Sequence, residues 1–238
     1  ERTKQAGIMS DKGKLFVVAT PIGNLQDFTF RAVETLKNVH CIFAEDTRTS
    51  KKLMTHYDIN TKLYSYHDHS SDKDIARVVN TLNNNKDVAL ISDAGTPTIS
   101  DPGYSLMRAC IDADVDIVPI PGASALTAAI SISGLPSDAF TFIGFLPTKK
   151  GRQKKISFLK DLDTTIVLFE SPHRLIKTLN QLKEALGERP VVVGRELTKL
   201  YEEIIRGNFS STIDFFDSKK IKGEIVIMIG KNDDRIYF

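Results

Sequence analysis

The chain alternates between short apolar, β-branched runs and longer segments with apolar residues three and four apart. LFVVAT (15 to 20), CIFAED (41 to 46), KLYSY (62 to 66), DVALISD (87 to 93) and DIVPIP (116 to 121) read as strands. FRAVETLKNV, TSKKLMTHY, DIARVVNTLNNN and YSLMRACIDA lie between them and read as amphipathic helices. Strand and helix in strict alternation predict a mostly parallel sheet with helices on both faces.

After ISGLPSDAF the texture changes. AFTFIGFLP, TTIVLFES, PVVVGREL, YEEIIRGNF and GEIVIMIG supply five strands with two clear helices among them, GRQKKISFLKDL and PHRLIKTLNQLKEAL. Fewer helices between strands predict a mixed sheet. The expected organisation is two α/β domains: a polar extension over 1–14, an N-terminal domain over 15–134 and a C-terminal domain over 135–238. No internal repeat stands out.

Composition narrows the class. The 238 residues are 41% hydrophobic and 26% charged, which suits a folded chain with a real core. The apolar runs fall far short of the roughly 20 residues that cross a bilayer. The opening ERTKQAGIMSDKGK lacks an apolar signal core, so it reads as a polar extension or remnant before Met9, and a cytoplasmic location is expected. Cys41 and Cys110 have no disulfide or zinc spacing, so no metal is expected. A net charge of +2 means that an anionic partner must meet a local patch.

Neither GxGxxG, GxxxxGK[ST] nor HExxH occurs. The chemistry gathers instead at the strand ends: ATPIGNLQD, AEDTRTS, SYHDHSS, SDAGTPTISDPG and PGASA close the first five strands. In open α/β sheets ligands bind outside the carboxyl ends of the strands, so these loops converge on one cleft. In SDAGTP, Asp93 offers a carboxylate for a ribose diol or an amine, Gly95 permits an unusual backbone angle and Pro97 fixes the turn. Asp101 and Pro102 read as helix cap and first helical residue. Gly122 and Ser124 sit at a strand-to-helix junction, which suits either an anion or simple capping.

Glu45, Asp46 and Arg48 form either a structural ion pair or a polar recognition group. Histidine is the side chain best suited to carry a proton at neutral pH, so His67 and His69 read either as functional groups or, as is commoner for a loop histidine, as inert positions. Lys149, Lys150, Arg152, Lys154 and Lys155 cluster at a helix start against the dipole, as phosphate contacts or as a solvated face. In ESPHR and GRELTKLYEE, Ser171 and Pro172 read as a helix entry. Arg174, Arg195 and Lys199 there face either an anionic substrate or the neighbouring Glu170 and Glu196.

ATPIGNLQD, AEDTRTS, ISDAGTPTISDPG, PGASA, ESPHR and GRELTK, in that order from Leu15 to Gly230, closely resemble the ribosomal RNA branch of the tetrapyrrole methylase family. TPIGN replaces the GxGPG-like loop of the porphyrin-type members, and the basic segment at 149 to 155 also favours RNA over a tetrapyrrole. The resemblance implies a homodimer with S-adenosylmethionine in a cleft between two α/β domains. It also implies 2′-O-methylation of a cytidine ribose in the 16S rRNA decoding region of the small ribosomal subunit.

Carried over by position, the cofactor contacts would be Thr20, Pro21, Asp93, Thr96, Ser124, Ala125, Phe169, Gly194 and Gly223. The RNA contacts would be Lys149, Lys150, Arg152, Lys154, Lys155, Arg174, Arg195 and Lys199. A base for the 2′-hydroxyl is not identified, and Glu45, Asp46, Arg48, His67 and Glu170 are candidates by position only. A methyltransferase for a tetrapyrrole or other small molecule, and a non-catalytic RNA-binding assembly factor, remain as alternatives.

Overall fold

A computed structural model describes residues 11–67 and 72–231. His69 and most of the N-terminal extension lie outside that set. The chain divides into two compact units between Ala123 and Ser124.

The first unit holds β1 (Leu15–Val18), α1 (Phe30–Asn38), β2 (Cys41–Ala44), α2 (Thr47–His56), β3 (Lys62–Ser65), α3 (Asp72–Asn83), β4 (Val88–Ile91), α4 (Tyr104–Asp112) and β5 (Ile117–Ile120). Its sheet is wholly parallel, in the order β3-β2-β4-β1-β5. Alternation along each strand divides the side chains between two layers. Ile42, Ala44, Ala89 and Ile91 pack with Ala32, Leu36 and Met54 of α1 and α2. Cys41, Phe43, Val88 and Leu90 pack with Val78, Leu82, Leu106 and Cys110 of α3 and α4. Helices therefore cover both faces, as the apolar runs of β1, β2 and β4 predict.

This wiring fixes where a ligand can sit. β1 and β4 are neighbours, yet the chain leaves β1 toward α1 on one face and leaves β4 toward α4 on the other. Their carboxyl ends form a topological switch point, where departing loops open a crevice.

The second unit holds α5 (Ala125–Ser133), β6 (Phe140–Phe145), α6 (Arg152–Lys160), β7 (Thr165–Glu170), α7 (Leu175–Leu186), β8 (Pro190–Arg195), β9 (Glu203–Asn208), α8 (Phe209–Asp217) and β10 (Ile225–Ile229). The sheet order is β6-β7-β10-β8-β9, with β6 and β7 parallel and the other pairs antiparallel. One face, with Ile166, Leu168, Val191, Val193 and Ile227, packs under Ile156 of α6, Leu179 of α7 and Phe216 of α8. α5 packs on β10, and Arg206 of β9 donates to the Ser133 and Ile132 carbonyls at its end. The expected boundary at 134 falls one helix later than the division at Ala123, because α5 makes these contacts within the second unit.

Three local readings are corrected. α4 starts at Tyr104 behind Gly103, and Asp101 does not cap it. Gly103 has φ +137°, and a side chain there would press within 3.2 Å of Leu90 Cδ2, so the chain rounds β4 before it can coil. α7 starts at Leu175, because Ser171 to Arg174 form a separate turn closed by the Arg174 amide on the Ser171 carbonyl. Finally, α8 was not expected. Its box is built from Asn208 and Ser211 rather than the Ser/Thr and Glu/Gln that mark most helix starts.

Phe209 opens α8 fully buried in the second core. Phe209→Ala is expected to cost about 3–5 kcal/mol, read as a lowered denaturant midpoint for the second unit with little change in the first.

Candidate functional site

The switch-point turns of the first unit are laced together by backbone. The Thr20 amide donates to the Gly95 carbonyl at 2.9 Å, and the Gly95 amide donates back to the Thr20 carbonyl at 3.0 Å. Thr20 Oγ1 donates to the Ser92 carbonyl at 3.3 Å, and Thr96 Oγ1 to the Ala123 carbonyl at 3.4 Å. The turns after β1, β4 and β5 are thus one rigid assembly. Gly95 has φ +80°, and an added Cβ would lie 3.3 Å from Ile22 Cγ2, so both its angle and its surroundings demand glycine. At Gly122 a Cβ would come within 3.1 Å of the Ala19 methyl.

Asp93 is exposed beside this knot. Its Oδ1 accepts the Asp46 amide at 3.0 Å, so one carboxylate oxygen ties the β2 turn to the β4 turn. Beyond it, Thr98 and Ser100 take left-handed backbone at φ +72° and +62°, a conformation that non-glycine residues adopt at a cost of about 1–3 kcal/mol.

Asp46 caps α2 and grips Arg48, with Oδ1 accepting the Arg48 amide at 2.8 Å and Oδ2 accepting Nη2 at 2.8 Å. Those hydrogen bonds, the side-chain one foremost, hold its carboxyl down at about 2. The ion-pair reading is the one the structure adopts, and a carboxylate that acidic is a weak base at neutral pH. Glu45 and the exposed His67 follow β2 and β3 on the same carboxyl edge of the sheet.

In the second unit, Phe169, Val226 and Gly194 lie side by side across β7, β10 and β8. Phe169 is half-buried with its ring edge-on to Phe142 and Phe145. Gly223 has φ +91°, and any side chain there would collide with the Glu196 carboxylate. That carboxylate also accepts the Glu224 amide at 2.9 Å and Lys199 Nζ at 3.0 Å. Ser124 stands before α5 without capping it through its side chain, which sets aside the simple capping role.

Glu170 is a structural hub. Its buried carboxylate accepts the Ser171 amide at 2.7 Å, Arg174 Nη2 at 2.7 Å and Thr178 Oγ1 at 2.6 Å. Thr178 in turn accepts Arg152 Nη2 at 2.7 Å, while Arg152 Nε reaches Gln181 and Nη1 the Pro147 carbonyl. Burial pulls the Arg152 guanidinium pKa downward, and Glu170 opposes that pull. Arg152 therefore belongs to the interior, where it clamps the preceding loop, and not among the exposed cations. Sequence spacing could not separate it from its neighbours, because its partners Thr178 and Gln181 come from a helix 26 and 29 residues on.

Lys149, Lys150 and Lys154 are exposed, and Lys155 lies partly buried, 5.3 Å from the Phe158 ring centre. Arg195 is paired with Glu203 at 3.0 Å, and Lys199 with Glu196 and Glu224 at 3.0 and 3.1 Å. Among the described residues no three acidic, histidine or cysteine side chains gather as a metal site, and no helix is long and apolar enough to cross a membrane.

A parallel sheet with glycine-bearing turns at its switch point and a mixed sheet in the second unit make up a two-unit α/β architecture. The family model for tetrapyrrole (corrin/porphyrin) methylases matches residues 14–212, and the chain belongs to that family. It is accordingly an S-adenosylmethionine-dependent methyltransferase. Among its relatives, "Ribosomal RNA small subunit methyltransferase I" of Halalkalibacterium halodurans is 47% identical, covering 95% of this chain and 78% of the relative. The protein of the same name from Thermotoga maritima is 45% identical, covering 91% and 98%. Of solved structures, a cobalt precorrin-4 methyltransferase superposes with TM-score 0.67 at 19% identity, covering 95% of this chain and 98% of that one. The methyltransferase CobJ gives 0.70 at 17%, covering 95% and 97%. At those identities the two structures speak to fold alone.

Asp46 is depressed relative to its ordinary value of 3.8. Its contribution to stability is present above that value and is lost as pH falls through about 2. Carboxyl-carbon NMR should find it titrating near 2, and Arg48→Ala should return it toward 3.8.

Proposed function

We propose that this methyltransferase acts on small-subunit ribosomal RNA, placing the methyl group on the 2′-oxygen of a cytidine ribose in the 16S decoding region. The observation that carries the substrate class is the set of relatives with that rRNA name at 45–48% identity over nearly the whole chain. The exposed Lys149, Lys150 and Lys154 support it, since clustered cations without carboxylate partners among the described residues suit a phosphate backbone. Arg152 contributes from the interior by fixing the loop that carries Lys149 and Lys150.

S-adenosylmethionine supplies an activated methyl group, so the protein has to bind, align and deprotonate. In this reading Asp93 accepts a ribose hydroxyl or amine of the cofactor, and Thr96 and the glycine turns allow close approach. Thr20 and Pro21 are buried, and Thr20 uses its amide, carbonyl and hydroxyl within the protein, so these two shape the turn. Ser124, Ala125, Phe169, Gly194 and Gly223 complete the proposed contacts.

Glu170 is engaged by three donors, Asp46 is too acidic, and Arg48 is held as a cation by its hydrogen bond to Asp46, which leaves Glu45 and His67 as candidates for the base. A homodimer belongs to the same reading, supported by the exposed Leu200 and Tyr201.

Incubating the protein with methyl-labelled cofactor and 30S particles from a strain lacking the modification should label a cytidine ribose of 16S rRNA. An unlabelled 16S rRNA would refute the substrate. Asp93→Ala should weaken cofactor binding in calorimetry by at least tenfold, and unchanged affinity would remove Asp93 from the site.

A further inference from the structure

The proposed function makes no use of a basic groove on the first unit. A cavity of about 520 Å³ runs along α3, lined by His40, Lys73, Arg77, Asn80, Asn84 and Lys86. Lys73, Arg77 and Asn80 follow at spacings of four and three, so they share one helical face, and Asn84 continues that line where α3 ends. Val78 and Leu82 hold the helix down on the sheet from its buried side. His40 and Lys86 close the groove from the turns that enter β2 and β4.

Three features suit this groove to an anion better than to plain solvent. First, Lys73, Arg77 and Lys86 have no carboxylate within ion-pairing distance among the described residues, although acidic residues are nearly as numerous as basic ones in the chain. Second, the Arg77 guanidinium lies 3.9 Å from the Tyr64 ring centre. An aromatic platform of that kind orients the planar cation without neutralising it. Third, the unbalanced positive charge is felt inside the unit. Burial raises the Cys41 thiol pKa, and Arg77, Lys86 and Lys62 all pull it back down. A second cavity of about 540 Å³ shares His40 and is lined by Lys37 and Lys62 together with the Asp58 carboxylate, so the positive lining is confined to the α3 groove.

From Lys73 to Asn84 the groove is about 16 Å long at 1.5 Å per residue, the length of a short stretch of sugar-phosphate backbone. It starts where α3 follows the carboxyl end of β3, the edge that carries the candidate site. It ends at the amino ends of β2 and β4.

We propose that this groove is a second RNA-binding surface, which holds the sugar-phosphate backbone of the substrate away from the methylated nucleotide. The side-chain amides of Asn80 and Asn84 add neutral donors suited to phosphate and ribose oxygens. The inference rests on the RNA reading of the substrate, and binding measurements separate its fate from that of methyl transfer.

The test compares Lys73→Gln/Lys86→Gln with wild type and with Lys51→Gln/Lys52→Gln, which removes equal charge from exposed positions on α2. Binding to 30S particles and to a short single-stranded RNA is measured across a salt series, with circular dichroism and calorimetric S-adenosylmethionine affinity as controls for folding. The groove variant should bind RNA about tenfold more weakly at low salt, and its log–log salt slope should shrink by about 1.4. Its cofactor affinity should be unchanged, and in methylation it should raise KM with kcat retained.

Equal losses in the α2 variant, or an unchanged slope in the groove variant, would overturn the proposal. So would inorganic phosphate alone displacing the RNA at micromolar concentration, the mark of a small-anion site. Groove-dependent RNA binding without methyl transfer would support the groove and refute the proposed reaction instead.

Discussion

The reciprocal hydrogen bonds between Thr20 and Gly95 set the terms for the rest of the first unit. They join the two turns that leave adjacent parallel strands toward opposite faces of the sheet. Without that join the loops at the switch point would be separate and mobile. With it, the glycine angle, the exposed Asp93 carboxylate and the Thr96 bond to Ala123 share one frame. The positions of these groups are fixed at folding, and in the proposed function such prior alignment is what a methyl donor bound there would need.

The second unit solves a related problem differently. A buried carboxylate at the end of β7 organises two arginines, a threonine and the turn before α7. Buried charges are tolerated only when each is paired and hydrogen-bonded, and this network meets that requirement. Its effect is to seat the loop from Pro147 to Gly151, leaving Lys149, Lys150 and Lys154 on either side of Arg152 exposed. One cation of the cluster is the anchor, and its neighbours face outward.

Much of this could be read along the chain. The central strands β2, β4, β7, β8 and β10 coincide with apolar runs, because a strand buried on both faces must be apolar almost throughout. The alternating order of elements dictated the parallel sheet, and the strand-end clustering of Asp93, Gly95 and Gly122 pointed to the crevice. The sequence does not mark α8, because its Asn208 and Ser211 box has no acidic partner, and Pro172 points to an earlier start for α7 than Leu175 because it favours a helix that Glu170 delays.

Sequence by itself thus determined the strands, most of the helices, the chemistry of the turns and the family. These follow from hydrophobic period and from residue types at strand ends, which are local properties. The tertiary structure alone decided which charges are available. Asp46 with Arg48, Glu170 with Arg152, and Lys199 with two glutamates are withdrawn into pairs, whereas Lys73, Arg77 and Lys86 are left facing a groove. A charge is defined by what lies within a few ångströms of it, and most of those neighbours are remote in sequence.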